Sequence, residues 1–217
     1  MAHLCLSFLG HPLIHLNGVA VTLGRYKAIA LLAYLALTQQ PHSRAHLATL
    51  LWPDDGESTA LGYLRNTLWT LTQALGKEWF VCTRTSLALS PQPTLWLDVD
   101  ILQASVTDPH TASTMALTQA VTLYRGDFLT GLAVAQAPAF EEWQCQQSER
   151  LRALQIAALR QIVHRQLAQD NVTAALATTE QWLALDPLDE AAHVQLMKLY
   201  AGTGQRVRAL RQYERCV

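Results

Sequence analysis

The chain has 217 residues, half of them hydrophobic, with 16 basic and 17 acidic side chains and a formal net charge of −1. That length suits two domains and that composition a substantial core, which excludes bulk disorder. The near-neutral balance excludes a strongly basic nucleic-acid binder, so any duplex-binding surface has to be local and modest. Residues 1–98 hold Arg25, Lys27, Arg44, Arg65, Lys77 and Arg84 against Asp54, Asp55, Glu57, Glu78 and Asp98, a net of +1, which leaves −2 for residues 99–217. The longest apolar run, Ala28 to Leu37, is too short to span a bilayer. Met1-Ala-His-Leu4 lacks the basic start of a secretory signal. A cytoplasmic protein without membrane contact is expected.

Along the chain, the first residues read as short strands at Leu4–Leu9, Leu13–Leu16 and Val19–Leu23, with a tight hairpin at Asn17-Gly18. A helix from Tyr26 to Thr38 follows and ends in the polar stretch Gln39-Gln-Pro-His42. Ser43 is placed to cap a second helix running to Leu51. Trp52-Pro-Asp-Asp-Gly56 closes that helix, and Ser58 starts a third. Leu61, Leu64, Leu68, Leu71 and Leu75 have the spacing of one buried helix face, and Gly76 stands where such a helix stops. The opposite face of this third helix holds Thr59, Gly62, Asn66, Trp69, Thr70 and Gln73, with almost no charge. A solvated helix back is normally rich in Lys and Glu, so this face reads as a contact surface. Three short β segments come next, at Trp79–Cys82, Leu87–Leu89 and Leu95–Leu97.

Three strands, three helices and a β-hairpin describe a winged helix-turn-helix preceded by a small antiparallel sheet, here over residues 1–98. After Asp98 helical patterns dominate: Thr111–Tyr124, Pro138–Gln169, Thr173–Leu185, Asp189–Ala201 and Gln205 onward. Ala157-Ala158 matches Ala191-Ala192, and Ala175-Leu176 matches Ala209-Leu210, both at a separation of 34. That period belongs to stacked helical hairpins of the tetratricopeptide kind. The whole therefore reads as mainly α with small β, with a tetratricopeptide-like helical domain over 99–217. The helical pattern is still running at Val217, as expected for part of a longer parent protein.

Several side chains carry little chemistry. Cys5, Cys82, Cys145 and Cys216 are scattered and read as reduced, buried thiols. His42 and His46 stand at i, i+4 without a third ligand nearby, and read as surface histidines. Trp143, Trp182, Tyr124, Tyr200 and Tyr213 are expected to pack between helices. Arg206, Arg208, Arg211 and Arg215 form either a solvated face or an interaction surface. No P-loop, Gly-x-Ser-x-Gly or His-Glu-x-x-His occurs, so no enzyme, cofactor or metal is expected.

A series of segments runs in order over nearly the full length. They are Gly24-Arg-Tyr-Lys-Ala-Ile-Ala-Leu-Leu-Ala-Tyr-Leu35, Leu50-Leu-Trp-Pro-Asp54, Leu64-Arg-Asn-Thr-Leu68, Ala74-Leu-Gly76 and Leu97-Asp-Val-Asp100. Downstream come Leu123-Tyr-Arg-Gly-Asp-Phe-Leu129, Phe140-Glu-Glu-Trp143, Leu183-Ala-Leu-Asp-Pro187 and Ala209-Leu-Arg-Gln-Tyr213. In that order they resemble SARP-type bacterial transcriptional regulators. The resemblance implies an OmpR-like winged helix followed by a bacterial transcriptional activator domain. It implies that Ser58–Leu75 is the recognition helix and the hairpin around Arg84 the wing. It also implies a dimer on repeated double-stranded DNA sites and contact with RNA polymerase through the helical domain. Relatives carry further arginines on this helix near the places of Thr70 and Thr72. The chain keeps only Arg65 there, which weakens phosphate anchoring.

On a helix in the major groove, Asn66 and Gln73 suit adenine, while Thr59 and Thr70 suit a phosphate or a thymine methyl. Gly62 allows close backbone approach, and Arg65 lies on the flank for phosphate or guanine. The amides read equally as a solvated polar face, and Arg65 as the partner of Asp54 or Glu57. Trp69 reads as packed, against the wing or at a dimer contact, more readily than as a DNA contact. Arg84, at the hairpin tip, suits a phosphate or the minor groove and reads equally as an idle solvated side chain. Lys27 and Arg44 sit at helix N-termini, where a cation opposes the helix dipole and either an external anion or a nearby carboxylate would relieve it. The alternative reading is a winged helix that binds protein in place of DNA, with Tyr63 and Trp69 at the interface.

Overall fold

β1 (Leu4–Ser7), β2 (Leu13–Leu16) and β3 (Val19–Ala20) form an antiparallel meander in the computed structural model, which describes residues 3–90, 94–107 and 113–216. The turn between β2 and β3 uses Asn17 and Gly18, both at positive φ, as an Asn-Gly hairpin requires. β1 is shorter than the apolar run suggests, because the amides of Phe8 and Leu9 leave the ladder and donate to the Asp98 carboxylate. β3 likewise stops at Ala20 and does not reach Leu23.

α1 (Tyr26–Thr38) buries Ala28 and the whole run from Ala30 to Ala36, and ends on Gln39 in the left-handed conformation. Two residues, β4 (His42–Ser43), then pair with the later wing hairpin. Ser43 also caps α2 (Arg44–Leu51), its Oγ accepting from His46 N at 3.1 Å. α3 (Glu57–Leu75) begins one residue before the expected Ser58, with Gly56 in the cap position. It buries Ala60, Leu64, Thr67, Leu68, Leu71 and Leu75, while Leu61 is only half-buried. Leu64, Leu68, Leu71 and Leu75 thus hold the helix's core face, and Leu61 lies at its edge. β5 (Phe80–Cys82) and β6 (Ser86–Leu89) form the hairpin, in a three-stranded sheet of order β4-β6-β5. Thr83 Oγ1 accepts from the amides of Thr85 and Ser86, which fixes the turn that presents Arg84. β7 (Leu95–Leu97) does not extend this wing. It returns to the first sheet, parallel to β1, in the order β3-β2-β1-β7.

The described chain divides into two compact units that do not follow chain order. The first holds Met1–Ile101 together with Leu123–Leu151, the second Leu102–Thr122 together with Arg152–Val217. In the first, α4 (Asp98–Thr107) begins at a buried carboxylate. Asp98 Oδ1 accepts from Phe8 N and Val99 N and Oδ2 from Leu9 N, each at 2.9 Å. Arg125 approaches it at 3.9 Å. The segment from Leu123 is tied to the end of β1 by Arg125 N to Leu9 O, Gly10 N to Asp127 O and Leu129 N to Phe8 O. Gly10, at φ 113°, lets the two backbones meet: an added Cβ would lie 3.0 Å from Arg125 Cβ.

α6 (Pro138–Ala168) contributes its first half to this unit. Trp143 there meets Tyr34 edge-on at 4.8 Å between ring centroids, with Phe128 and Phe140 beside it. Tyr34 in turn touches His42 and His46. His46 is a surface histidine as expected, but His42 is not. It is 8 % exposed and bonded to Thr38 Oγ1, because pairing of β4 with β6 carries it inward. Burial, with the His46 ring beside it, lowers the His42 pKa from its ordinary 6.5. The unfolded chain then takes up this proton first, so stability present above pH 6.5 is lost as pH falls through the folded value. His42→Phe is expected to flatten the decline in unfolding free energy between about pH 7 and pH 5 in urea titrations.

The second unit holds α5 (Thr114–Thr122), the rest of α6, α7 (Val172–Leu185), α8 (Glu190–Gly202) and α9 (Arg206–Cys216). The expected start of α5 at Thr111 lies outside the described residues. Leu159, Trp182 and Ala192 form one core cluster, and Val163, Ala175 and Leu199 another. Ala158 and Ala192, equivalent in the 34-residue repeat, are both fully buried, which is why small residues recur there. Asp189 caps α8 through Oδ1 and accepts Trp182 Nε1 on Oδ2 at 2.8 Å. Trp182 and Tyr200 are buried and Trp143 and Tyr124 half-buried, but Tyr213 is 57 % exposed. It therefore does not pack between helices as expected. The thiols also differ from expectation: Cys82 and Cys145 are exposed, and Cys5 and Cys216 half-buried. Among the described residues no cluster suits a metal ion, and no helix is long and apolar enough to cross a membrane.

Candidate nucleic-acid interface

The α3 residues turned away from the core form one arc. Thr59, Asn66, Trp69 and Gln73 are exposed, Gly62 and Thr70 half-exposed. At ~100° per residue all six fall within ~60° of Asn66 around the helix, opposite Leu64 and Leu71. Trp69 is 64 % exposed, so it does not pack against the wing within this chain. Neither the hairpin nor the core reaches that side of the helix. The hydroxyls of Thr70 and Thr72 bond back to Asn66 O and Trp69 O, so they are engaged by the helix itself. No heavy atom would lie within 4 Å of a Cβ added to Gly62. The fold itself therefore does not require a glycine there, although mid-helix glycine costs about 1 kcal/mol relative to alanine.

Cations flank this arc on both sides. On one side a hollow of about 390 Å³ is lined by Ser43, Arg44, Ala45, Leu61, Arg65, Arg84 and Thr85. It gathers arginines from the start of α2, the flank of α3 and the hairpin tip, with no acidic residue in the lining. Arg44 Nε donates to Thr83 O and Arg44 N to Thr85 O, so this arginine also fastens the hairpin to α2. The ion pair of Arg65 with Asp54 or Glu57 does not form, and among the described residues no carboxylate neutralises Arg44, Arg65 or Arg84.

On the other side a hollow of about 500 Å³ is lined by Arg25, Tyr26, Lys27, Trp52, Tyr63, Asn66 and Thr67. Lys27, expected as a phosphate contact, is committed internally. Its Nζ donates to Leu51 O at 2.6 Å, at the carbonyl end of α2, and lies over the Trp52 ring. Burial lowers its pKa, with Asp55 and Asp54 acting the other way. The available cation on this side is the exposed Arg25, just before α1. Position at a helix N-terminus singles out Lys27 in the sequence and not Arg25. The signal was the position of Arg25 ahead of the α1 core, where no helix face buries it. Tyr26 and Tyr63 are exposed beside it.

The sequence model of the bacterial transcriptional activator domain matches residues 100–217, more than half of the chain. The chain belongs to this family. The resemblance to SARP-type regulators is thereby borne out. No curated protein matches the chain in sequence. Among solved structures the activator-domain chain is similar to Mycobacterium tuberculosis EmbR, described in complex with a low affinity phosphopeptide, at a TM-score of 0.78 and 20 % identity. The likeness covers 100 % of this chain and 59 % of EmbR, so the activator-domain chain spans under two thirds of that protein's length. At that identity the likeness concerns the fold: a winged helix-turn-helix with small sheets, followed by stacked helices.

Proposed function

We propose that the winged helix binds double-stranded DNA as the reader of a transcriptional activator, and that the helical unit makes protein contacts, to a second protomer or to RNA polymerase. α3 enters the major groove with Thr59, Gly62, Asn66, Trp69, Thr70 and Gln73 towards the bases. Arg44, Arg65 and Arg84 hold phosphates on one side and Arg25 on the other, while Lys27 supports the fold. The observation that carries this reading is the hollow of three arginines without a carboxylate partner beside an uncharged, exposed helix face. A catalytic role has no support in the residues. The test is retention of a random 30-base-pair duplex by the 217-residue chain in a mobility-shift titration. Association at low salt is expected, weakening with a log–log slope equivalent to ~3–5 phosphates per protomer. Absence of association at low salt overturns the reading and favours a protein-binding face at Tyr63 and Trp69.

A further inference from the structure

We propose that the exposed arc of α3 selects A·T pairs at two positions about two base pairs apart, with Asn66 and Gln73 each reading one adenine and Trp69 lying against a thymine methyl between them. This inference rests on the DNA-binding reading above and adds what that reading leaves open, the bases recognised.

The chemistry of the arc excludes the commonest guanine contact. Guanine presents two acceptors in the major groove and is read by Arg or Lys, whereas adenine presents a donor beside an acceptor and is read by the amide of Asn or Gln. The arc holds no cation. Arg65 lies ~100° around the helix from Asn66, in the hollow with Arg44 and Arg84, where it faces the backbone side. Lys27 is spent on Leu51 O. Asn66 and Gln73 make no side-chain hydrogen bond among the described residues, so both donor and acceptor of each amide are available.

Spacing supplies the register. Seven residues advance a helix by ~10.5 Å and return it to within ~20° of the same direction. A helix in the major groove lies along the groove, and positions roughly three residues apart meet successive bases, so the two amides fall about two base pairs from one another. Trp69 lies between them along the axis, with its ring in solvent. An apolar ring there suits the one apolar group in the groove, the thymine methyl. Gly62, which the fold does not need, stands one turn before Asn66 on the same arc and lets the backbone approach the base edges.

The experiment is selection of bound duplexes from a random pool by the 217-residue chain, with total DNA retained at low salt recorded in the same samples. Enrichment of A·T at two positions about two base pairs apart is expected. Asn66→Ala and Gln73→Ala should each lower discrimination about tenfold at one of the two positions. Asn66→Arg should change the preference at its position from adenine to guanine. All three replace exposed side chains, and circular dichroism confirms that the variants fold. Retained DNA with G·C preference at these positions, or a pool unchanged by Asn66→Ala and Gln73→Ala, overturns this inference and leaves DNA binding standing. No retained DNA removes both.

Discussion

Arg65→Ala combined with Arg84→Ala is expected to weaken duplex binding by roughly 2–4 kcal/mol at moderate salt and to reduce the salt slope by about two. The two guanidiniums come from different elements, α3 and the hairpin tip, yet line one hollow. Neither has an ion-pair partner among the described residues, so their removal leaves no orphaned carboxylate behind. Arg44 is kept because its Nε holds Thr83 O; replacing it would loosen the hairpin and mix a folding effect with a binding effect. The loss should be nearly the same for every duplex sequence, since phosphates carry no base information. Anisotropy titrations across a salt series measure both quantities, and an unchanged affinity removes the arginine hollow from the interface. Lys27→Ala offers the contrast. Its ammonium caps α2 from within, so stability should fall with little change in the salt slope.

What could be read in the sequence was what local patterns encode. The Asn17-Gly18 hairpin, the capped α2 and the leucine face of α3 each follow from neighbours within a few residues, and the structure places them as read. Pairings decided far along the chain were not legible. β4 is two residues long, too short for any alternation to show, yet its pairing with β6 is what buries His42. β7 follows the hairpin closely in sequence, and nothing in its three residues marks it for another sheet. Its parallel partner, β1, lies some ninety residues earlier. The same applies to the segment from Leu123, which rejoins the first unit through backbone bonds at Phe8, Leu9 and Gly10 that no side-chain pattern announces.

At the candidate interface, the uncharged arc was evident from helical spacing alone. Which cations accompany it was not. Lys27 and Arg25 differ by two residues, and only the fold shows that one points its charge at a helix end while the other stays in solvent.

The largest effect on stability is expected from Asp98→Ala, at about 3–5 kcal/mol, with the melting temperature of the first unit falling by roughly 10 °C. The carboxylate is 1 % exposed and is the acceptor for three amides, those of Phe8, Leu9 and Val99. Alanine leaves these donors in the interior without a partner, and each unsatisfied donor costs about 1–3 kcal/mol. Part of that loss is offset because a buried carboxyl no longer has to be desolvated. Burial pushes the Asp98 pKa up, and the three amides and Arg125 pull it back. Asp98→Asn separates the two contributions. It keeps one acceptor oxygen and turns an amide nitrogen towards an N–H that needs an acceptor, so an intermediate loss is expected although the shape is unchanged. Urea denaturation of the three proteins measures the order. An asparagine variant as stable as the parent would mean that shape alone holds this junction. The expected order means that the end of β1, the start of α4 and the Arg125 segment are held together by one charged acceptor.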